Sequence, residues 1–309
     1  MNIVFLTRLY HPHIGGVEKH VHRVTEELQK KGHEVTIITT REQKQGKQRY
    51  SVLEHGSKVI RLNIPEIKVI GLFWTWLWVV FHVGLFRKAD VVHAHDVAIW
   101  LAPLKIFFPK KPIHTTMHGW EGKYPIPYKN ILLKKLARKM SKKVIGVGEY
   151  IQKYYKVKLD KVVWGGVDLP KAKGEKEKKL VFVGRLDHDT GVEQFVRKIP
   201  KYKGYEVEFY GAGSLKDFCA TFGPVHGVVD PTPAYKSAEY IFAGGYLTAL
   251  EALSHGCKVL VGADNPLKKD YWDEFPPKKY FKKPKLFKKV AKNYTWAKLA
   301  EEYHKLWSI

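Results

Sequence analysis

Cysteine is almost missing from this chain. Cys219 and Cys257 are the only two in 309 residues, which excludes a disulfide framework and any multi-cysteine zinc module, so buried reduced thiols are expected. Acidic residues are scarce beside basic ones: 30 Asp and Glu against 54 Lys and Arg give a formal charge of +24. Such an excess calls for a polyanionic neighbour, whether nucleic acid, an anionic membrane face or a phosphorylated substrate. The lysine-dense stretches 171–179 and 278–292 carry no RNP sequence, zinc finger or basic zipper, so charge alone does not choose among these. A dinucleotide fingerprint is also missing, since Gly15-Gly16 is not G-x-G-x-x-G. The apolar start Met1–Thr7 is too short for a signal peptide, and a cytoplasmic location is expected. Only Val69 to Phe86, with 18 residues, touches the lower limit of a membrane span. Gly71, Thr75, His82 and Gly84 interrupt it and strands flank it. A buried crossover helix is therefore expected, with superficial membrane contact as the alternative.

What is present is alternation of strands and helices. Strand Asn2–Thr7 leads through His11, His13 and Gly15-Gly16 into a helix ending near Lys31, with Val17, Val21, Val24 and Leu28 at helical spacing and Gly32 closing it. Strands Glu34–Thr39, Ala89–Asp96, Ile113–Thr116 and Lys143–Val147 follow. The helix at 129–142 sets Ile131, Leu132, Leu133, Leu136, Ala137 and Met140 against Lys134, Lys135, Arg138, Lys139 and Lys142. It fits either a core-facing helix with a solvated lysine face or an anionic membrane surface. Residues 171–179 hold almost nothing apolar and read as a linker. A second series then begins at Leu180–Val183, continues at Glu206–Tyr210 and ends with Tyr240–Phe242, the helix Tyr246–Leu253 and Lys258–Val261. The pattern predicts an α/β protein of two parallel, helix-covered sheets, with ligand in the cleft between them. The expected boundaries are an N-terminal domain over 1–168, a linker over 169–179, a second domain over 180–292 and a C-terminal helix over 293–309.

Several residues point to a phosphorylated ligand. Gly15-Gly16, Gly211-Ala-Gly213 and Gly244-Gly245 each follow a predicted strand, where backbone can approach phosphate closely. The Gly244-Gly245 break exposes the first N–H groups of the next helix at its positive end. Arg185 follows a strand directly and offers a planar fork to phosphate oxygens. Glu251, two turns into an otherwise apolar helix, is either a wet-face carboxylate or a ligand group. His93 and His95 share one side of a strand, but without further clustered ligands no metal is expected.

The order of Gly15-Gly16-Val-Glu18, Val91-Val-His-Ala-His-Asp96, His118-Gly119, Gly166-Val-Asp168, Gly184-Arg185-Leu186, Gly211-Ala-Gly213 and Leu250-Glu251-Ala252 through Gly256 closely resembles that of the family-4 glycosyltransferases, retaining enzymes of the GT-B fold. The C-terminal Tyr294-Thr-Trp296 to Tyr303 pattern is similar too, so the resemblance spans nearly the whole chain. It implies two Rossmann-like domains facing across a cleft, with the C-terminal helix returning to the N-terminal domain. It also implies transfer of a sugar from a nucleotide-diphosphate donor to a glycan or lipid-linked acceptor, without a metal cofactor, in the cytoplasm or peripherally at its membrane face. Nucleic acid is not an expected partner.

By the same resemblance, His118 lies beside the donor sugar, Arg185 neutralises the diphosphate and Glu251 accepts the ribose hydroxyls. Donor binding falls to Gly15, Gly16, Gly211, Gly213, Gly244, Gly245, Tyr246 and Leu247. Three positions depart from the family: Ala243 replaces the first of two glutamates, Thr190 a basic residue before Gly191, and Gly165 an asparagine. A catalytically weakened nucleotide-sugar-binding protein is the alternative that these departures motivate.

Overall fold

The computed structural model describes residues 1–41, 51–54, 56–65, 67–119, 123–170 and 174–308. The chain divides into two compact units. One comprises Met1–Trp120, Ile126–Val163 and Leu299–Ile309, the other Glu121–Pro125 and Trp164–Lys298.

The first unit is built on β1 (Asn2–Thr7), β2 (Glu34–Thr40), β3 (Ser51–Glu54), β4 (Ser57–Leu62), β5 (Val91–His95), β6 (Ile113–Met117), β7 (Lys143–Gly146) and β8 (Lys161–Val162). They form one sheet in the order β3-β4-β2-β1-β5-β6-β7-β8. All pairings are parallel except β3 with β4, an antiparallel edge that the alternation of strands and helices does not announce. Ile3 to Leu6 are fully buried, because central strands of a parallel sheet are covered on both faces.

Helix α1 (Gly16–Lys30) joins β1 to β2. Helices α2 (Lys68–Phe81) and α3 (Val83–Lys88) precede β5. Helix α4 (Ala102–Phe107) follows β5, α5 (Tyr128–Met140) joins β6 to β7, and α6 (Tyr150–Tyr155) follows β7. Right-handed crossovers put α1 on one face and α2, α4 and α5 on the other, because β1 to β2 runs across the sheet opposite to the later steps. Helix α2 accordingly touches α4 and the turn Ala98–Leu101, which α5 touches as well.

The expected burial of Val69–Phe86 is not found. The segment divides at His82, and in α2 the buried residues are Gly71, Thr75 and Val79. Phe73, Trp74 and Phe81 are 67%, 51% and 77% exposed. Sterics give the reason. A Cβ on Gly71 would lie 2.6 Å from the Pro65 carbonyl oxygen, so α2 seats itself through its smallest residues and turns its largest outward. Helix α5 also departs from a core-facing arrangement: Lys134 and Ala137 are buried, while Leu132, Leu133 and Leu136 are exposed.

The second unit holds β9 (Glu177–Val183), β10 (Glu206–Tyr210), β11 (Ala238–Ala243) and β12 (Lys258–Leu260), all parallel, in the order β10-β9-β11-β12. Its helices are α7 (Val192–Val196), α8 (Lys216–Ala220), α9 (Thr232–Ser237), α10 (Tyr246–Ser254), α11 (Pro266–Glu274) and α12 (Pro284–Phe287). Alternate residues of β9 enter two cores. Leu180 and Phe182 join Phe195, Phe209 and Phe242, while Val181 and Val183 join Ile241, Leu250 and Phe287. Strand β9 starts at Glu177 rather than Leu180, and Lys176 Nζ already donates to the Tyr235 carbonyl at 2.6 Å. The end of the expected linker is thus part of this unit; residues 171–173 lie outside the described residues.

The last helix, α13 (Trp296–Trp307), returns to the first unit from Leu299 onward, burying Leu299, Ala300, Tyr303 and Leu306 there. Each sheet has one point where successive connections reverse direction, between β1 and β5 in the first and between β9 and β11 in the second. Open parallel sheets bind ligands beyond the strand C-termini at such points.

Candidate active-site residues

In the first unit the loop after β1 and the residue after β5 flank the switch point. Gly15 is the extended N-cap of α1 and no side chain caps this helix end. Glu18 folds back over it: a Cβ on Gly15 would lie 2.2 Å from Glu18 Oε2, and Glu18 Oε1 stands 3.1 Å from His13 Nδ1. A carboxylate therefore already sits at the positive end of α1, where Gly15 and Gly16 are expected to meet the donor. After β5, Asp96 takes φ +61°, a left-handed conformation that aspartate tolerates better than most residues. Its carboxylate accepts the His118 N–H at 3.1 and 3.2 Å and pairs with Lys134 Nζ.

The His118 ring is held by other imidazoles. Its Nε2 shares a 3.0 Å hydrogen bond with His95 Nδ1, and the His20 ring meets it edge-on at 4.8 Å. Burial pushes His20 down to about 3 and holds His93, His95 and His118 well below 6.5, with neighbouring imidazoles adding to the effect on the last three. These rings are neutral at physiological pH.

Behind them runs a chain of hydrogen bonds in which one obligate donor fixes the His93 tautomer. The Trp307 indole N–H can only donate, so His93 Nδ1 accepts it at 3.1 Å. The proton of neutral His93 is then on Nε2, which donates to Thr116 Oγ1 at 2.8 Å. Thr116 Oγ1 in turn shares a 2.7 Å hydrogen bond with the Tyr303 hydroxyl, which shares one of 2.8 Å with His20 Nε2. Helix α13 thereby orients the ring that abuts His118.

In the second unit the switch point is bare of side chains. A Cβ on Gly184, after β9, would lie 3.2 Å from the Gly244 Cα, after β11. Arg185 stands here, 63% exposed, with Nη1 on Asp187 Oδ2 at 2.8 Å and Nη2 on Asp189 Oδ2 at 2.6 Å. The Ser214 N–H and hydroxyl, with Arg185, hold Asp187 below the usual carboxylate range. Thr190 Oγ1 donates to the Arg185 and Asp187 carbonyls, both at 2.7 Å. The residue in place of the family's cation thus closes the turn that presents Arg185.

Gly211 and Gly213 serve backbone packing. At φ +145° a Cβ on Gly211 would fall 1.8 Å from the Gly184 carbonyl oxygen, and one on Gly213 2.3 Å from that of Leu186. Gly165 takes φ +71° against Tyr246 and Leu247. Glycine and asparagine are the residues most at ease there, so this departure preserves the backbone. Gly245 differs: only the Tyr271 hydroxyl, at 3.8 Å, approaches a Cβ built on it. Of the α10 N-terminal donors, the Tyr246 N–H goes to Tyr271 Oη at 2.7 Å and the Gly244 N–H to the Val183 carbonyl at 3.1 Å. Among the described residues, the Gly245 and Leu247 N–H groups donate to no side chain. Glu251 is half-buried and accepts the Tyr235 hydroxyl at 2.9 Å. Ala243 is 1% exposed and presents nothing to a ligand.

Three contributors escape sequence inspection, Tyr235, Lys268 and Tyr271, while Tyr303 is legible there only as part of the C-terminal pattern. Lys268, near the start of α11, is buried and donates through Nζ to the Asp189 carbonyl. Burial lowers its pKa, against the pull of Asp189 and Asp264. It brings a second cation beside the Arg185 turn. The Asn265-Pro266 start of α11 signals a helix N-terminus, but no spacing ties Lys268 to Arg185. Of the paired histidines, His93 bonds Trp307 through Nδ1 and Thr116 through Nε2, while His95 bonds His118 Nε2 through Nδ1. Among the described residues, no group of three or more His, Cys, Asp or Glu side chains is arranged to hold a metal.

Residues 14–170, half of the chain, match Glycosyltransferase Family 4. The chain belongs to this family. It is 26% identical to an uncharacterised glycosyltransferase of Methanocaldococcus jannaschii, covering 85% of this chain and 80% of that protein. Among solved structures it resembles sucrose-phosphate synthase from Thermosynechococcus elongatus, with TM-score 0.74, 14% identity and coverage of 99% and 98% of the two chains. It also resembles the catalytic domain of starch synthase IV from Arabidopsis thaliana, bound to ADP and acarbose, with TM-score 0.67, 14% identity and coverage of 99% and 98%. At these identities the structural likeness establishes the fold, which is GT-B. The family-4 glycosyltransferase assignment fits the strand-end placement of Arg185 and His118.

Proposed function

We propose that this glycosyltransferase moves a sugar from a nucleotide-diphosphate donor to a glycan or lipid-linked acceptor, with retention at the anomeric carbon. The supporting observation is the Arg185–Lys268 pair of cations beside the β9/β11 switch point, next to the start of α10. In the proposed complex the donor diphosphate displaces Asp187 and Asp189 from the exposed Arg185 fork. Lys268 supports the same charge from behind, in the role the family gives to the position of Thr190. The Gly245 and Leu247 N–H groups supply neutral donors to phosphate, and Glu251, steadied by Tyr235, accepts the ribose hydroxyls. ADP in the Arabidopsis neighbour supports this ligand class.

The chemistry follows from charge. As the bond from anomeric carbon to phosphate breaks, negative charge grows on the leaving diphosphate and positive charge on the sugar. Arg185 and Lys268 stabilise the first. A neutral His118 suits the second, since an imidazolium there would oppose an oxocarbenium-like centre. The acceptor hydroxyl passes its proton to the departing phosphate. These cations supply the charge that a divalent ion would otherwise bring, so turnover should persist in chelator. We further place the protein peripherally at the cytoplasmic membrane face, where a lipid-linked acceptor resides.

A panel of nucleotide sugars, followed by NMR of the product, tests the proposal. Multiple turnover with retained configuration is expected, whereas inversion overturns the stereochemical part. Thermal stabilisation by a donor without turnover would favour a weakened donor-binding protein, the reading that buried Ala243 supports.

A further inference from the structure

We infer that the outer face of α2, with the end of α4 and the lysine-bearing helix α5, is the surface by which this protein lies on an anionic lipid bilayer. This rests on the peripheral-membrane placement proposed above and is independent of the sugar chemistry.

From Val69 to Phe81, α2 carries no charged residue. Phe73, Leu77 and Phe81 recur every fourth residue along its outer side, with Trp74 beside them, all exposed. Helix α4, on the same face of the sheet, ends in Ile106 and Phe107, which are 75% and 61% exposed. A helix of this composition in a water-soluble protein turns its apolar side inward; this one buries only a small-residue stripe. At 14 residues it extends about 21 Å, short of the roughly 20 residues that a span requires. Among the described residues no helix is long and apolar enough to cross a membrane. An apolar ridge of that length, rich in aromatic rings, suits the boundary between headgroups and acyl chains, with the helix axis in the membrane plane.

Charge selects the occupant. Arg87 and Lys88 at the end of α3 and Lys110 just after α4 are exposed. Helix α5, with Leu132, Leu133 and Leu136 outward, adds exposed Lys129 and Lys139 and has no acidic residue; its Lys134 is buried against Asp96 and its Arg138 pairs with Asp160. Between Lys68 and Phe107 the acidic residues are Asp90 and Asp96. Asp90 accepts the Asn2 N–H at 2.7 Å, and Asp96 is paired with Lys134. A second copy of this chain would set cation against cation. Anionic headgroups satisfy the apolar ridge and its basic surroundings together.

Co-sedimentation of the full chain with phosphatidylcholine vesicles, with and without phosphatidylglycerol, tests the inference. Binding to the mixed vesicles should be at least about tenfold tighter than to neutral ones. The double variant Trp74→Ser/Phe81→Ser should weaken it about tenfold or more, and Arg87→Glu/Lys88→Glu should weaken it while flattening its salt dependence. The altered side chains are exposed, so unchanged melting and unchanged donor turnover in solution confirm an intact protein. Those readouts also separate failure of this surface from failure of the transferase assignment. Equal binding to both vesicle types overturns the inference, as does binding that Trp74→Ser/Phe81→Ser leaves intact. No binding at all does the same, and so does a lipid-free dimer that this variant dissociates.

Discussion

His118 of the first unit and Arg185 of the second, each proposed above to act on the donor, are held in contrasting ways. His118 is surrounded by neutral imidazoles, and His20, one of these, is oriented by Tyr303 of a helix some two hundred and eighty residues away in sequence. Arg185 is mostly exposed, and its carboxylate partners stand two and four positions along the chain. The first arrangement is preorganised: its rings are buried and hydrogen-bonded to one another and to α13. The second is a local neutralisation that a stronger anion can displace. Electrostatic stabilisation of a departing diphosphate is suited to such a fork, which is freed when ligand arrives.

The sharpest way to break this contrast is to remove the charges. Arg185→Ala and Glu251→Ala should each lower kcat/KM by about 100-fold or more; near-normal turnover in steady-state assays of both would sink the assignment. Acid should next expose the histidine cluster. In the unfolded chain each histidine titrates near 6.5, whereas His20 and His114 are held at about 3 and about 4, and His93, His95 and His118 well below 6.5. Below pH 6.5 the unfolded state binds protons that the folded state refuses, so stability falls with pH, toward the folded values. By pH 5 the loss is about 2 kcal/mol per buried histidine. In the second unit, lowered Asp187 and Glu239 act at more acid pH, adding stability above their unfolded values near 4 that is lost as pH falls through their folded ones. Half-buried His255 adds a contribution of the histidine sign. Hydrogen exchange at pH 7 and pH 5 should therefore show β1, β5 and β6 losing protection before β9 to β12; the reverse order would contradict the contrast.

A smaller effect sharpens the Arg185 side. Lys268→Gln should raise the donor KM about tenfold, and Thr190→Lys in that background should recover part of it, as measured by donor titration. No change in KM would remove Lys268 from the site. The least effect belongs to Tyr303→Phe, which deletes the hydroxyl between Thr116 and His20. About 1–2 kcal/mol of stability should be lost, visible as a lower unfolding midpoint in denaturant.

Much of the scaffold is legible in the chain. Strand β1 coincides with the apolar run that predicts it, and β2, β5, β6, β10 and α10 lie where their patterns place them, because period and punctuation are local properties. The segment Val69–Phe86 misleads for a related reason. Apolar composition declares that a helix avoids water but not what it meets instead, and only the close fit of Gly71 against Pro65 shows which side faces inward. In the site, glycine signals blend two causes. Gly211 and Gly213 are small because backbone crosses backbone, while at Gly245 only the Tyr271 hydroxyl comes near a Cβ.

The sequence by itself determined the family, the two parallel sheets, the glycine turns and the placing of Arg185 and His118 near strand ends and of Glu251 within a helix. Each depends on residues close together in the chain. The tertiary structure alone decided that Lys268 stands beside the turn of Arg185, that Tyr235 holds Glu251, that Tyr271 takes the Tyr246 N–H and that Tyr303 of α13 hydrogen-bonds His20. These contacts join residues from 16 to 283 positions apart. No periodicity records such pairings, because burial and hydrogen-bond satisfaction are settled only when the elements pack.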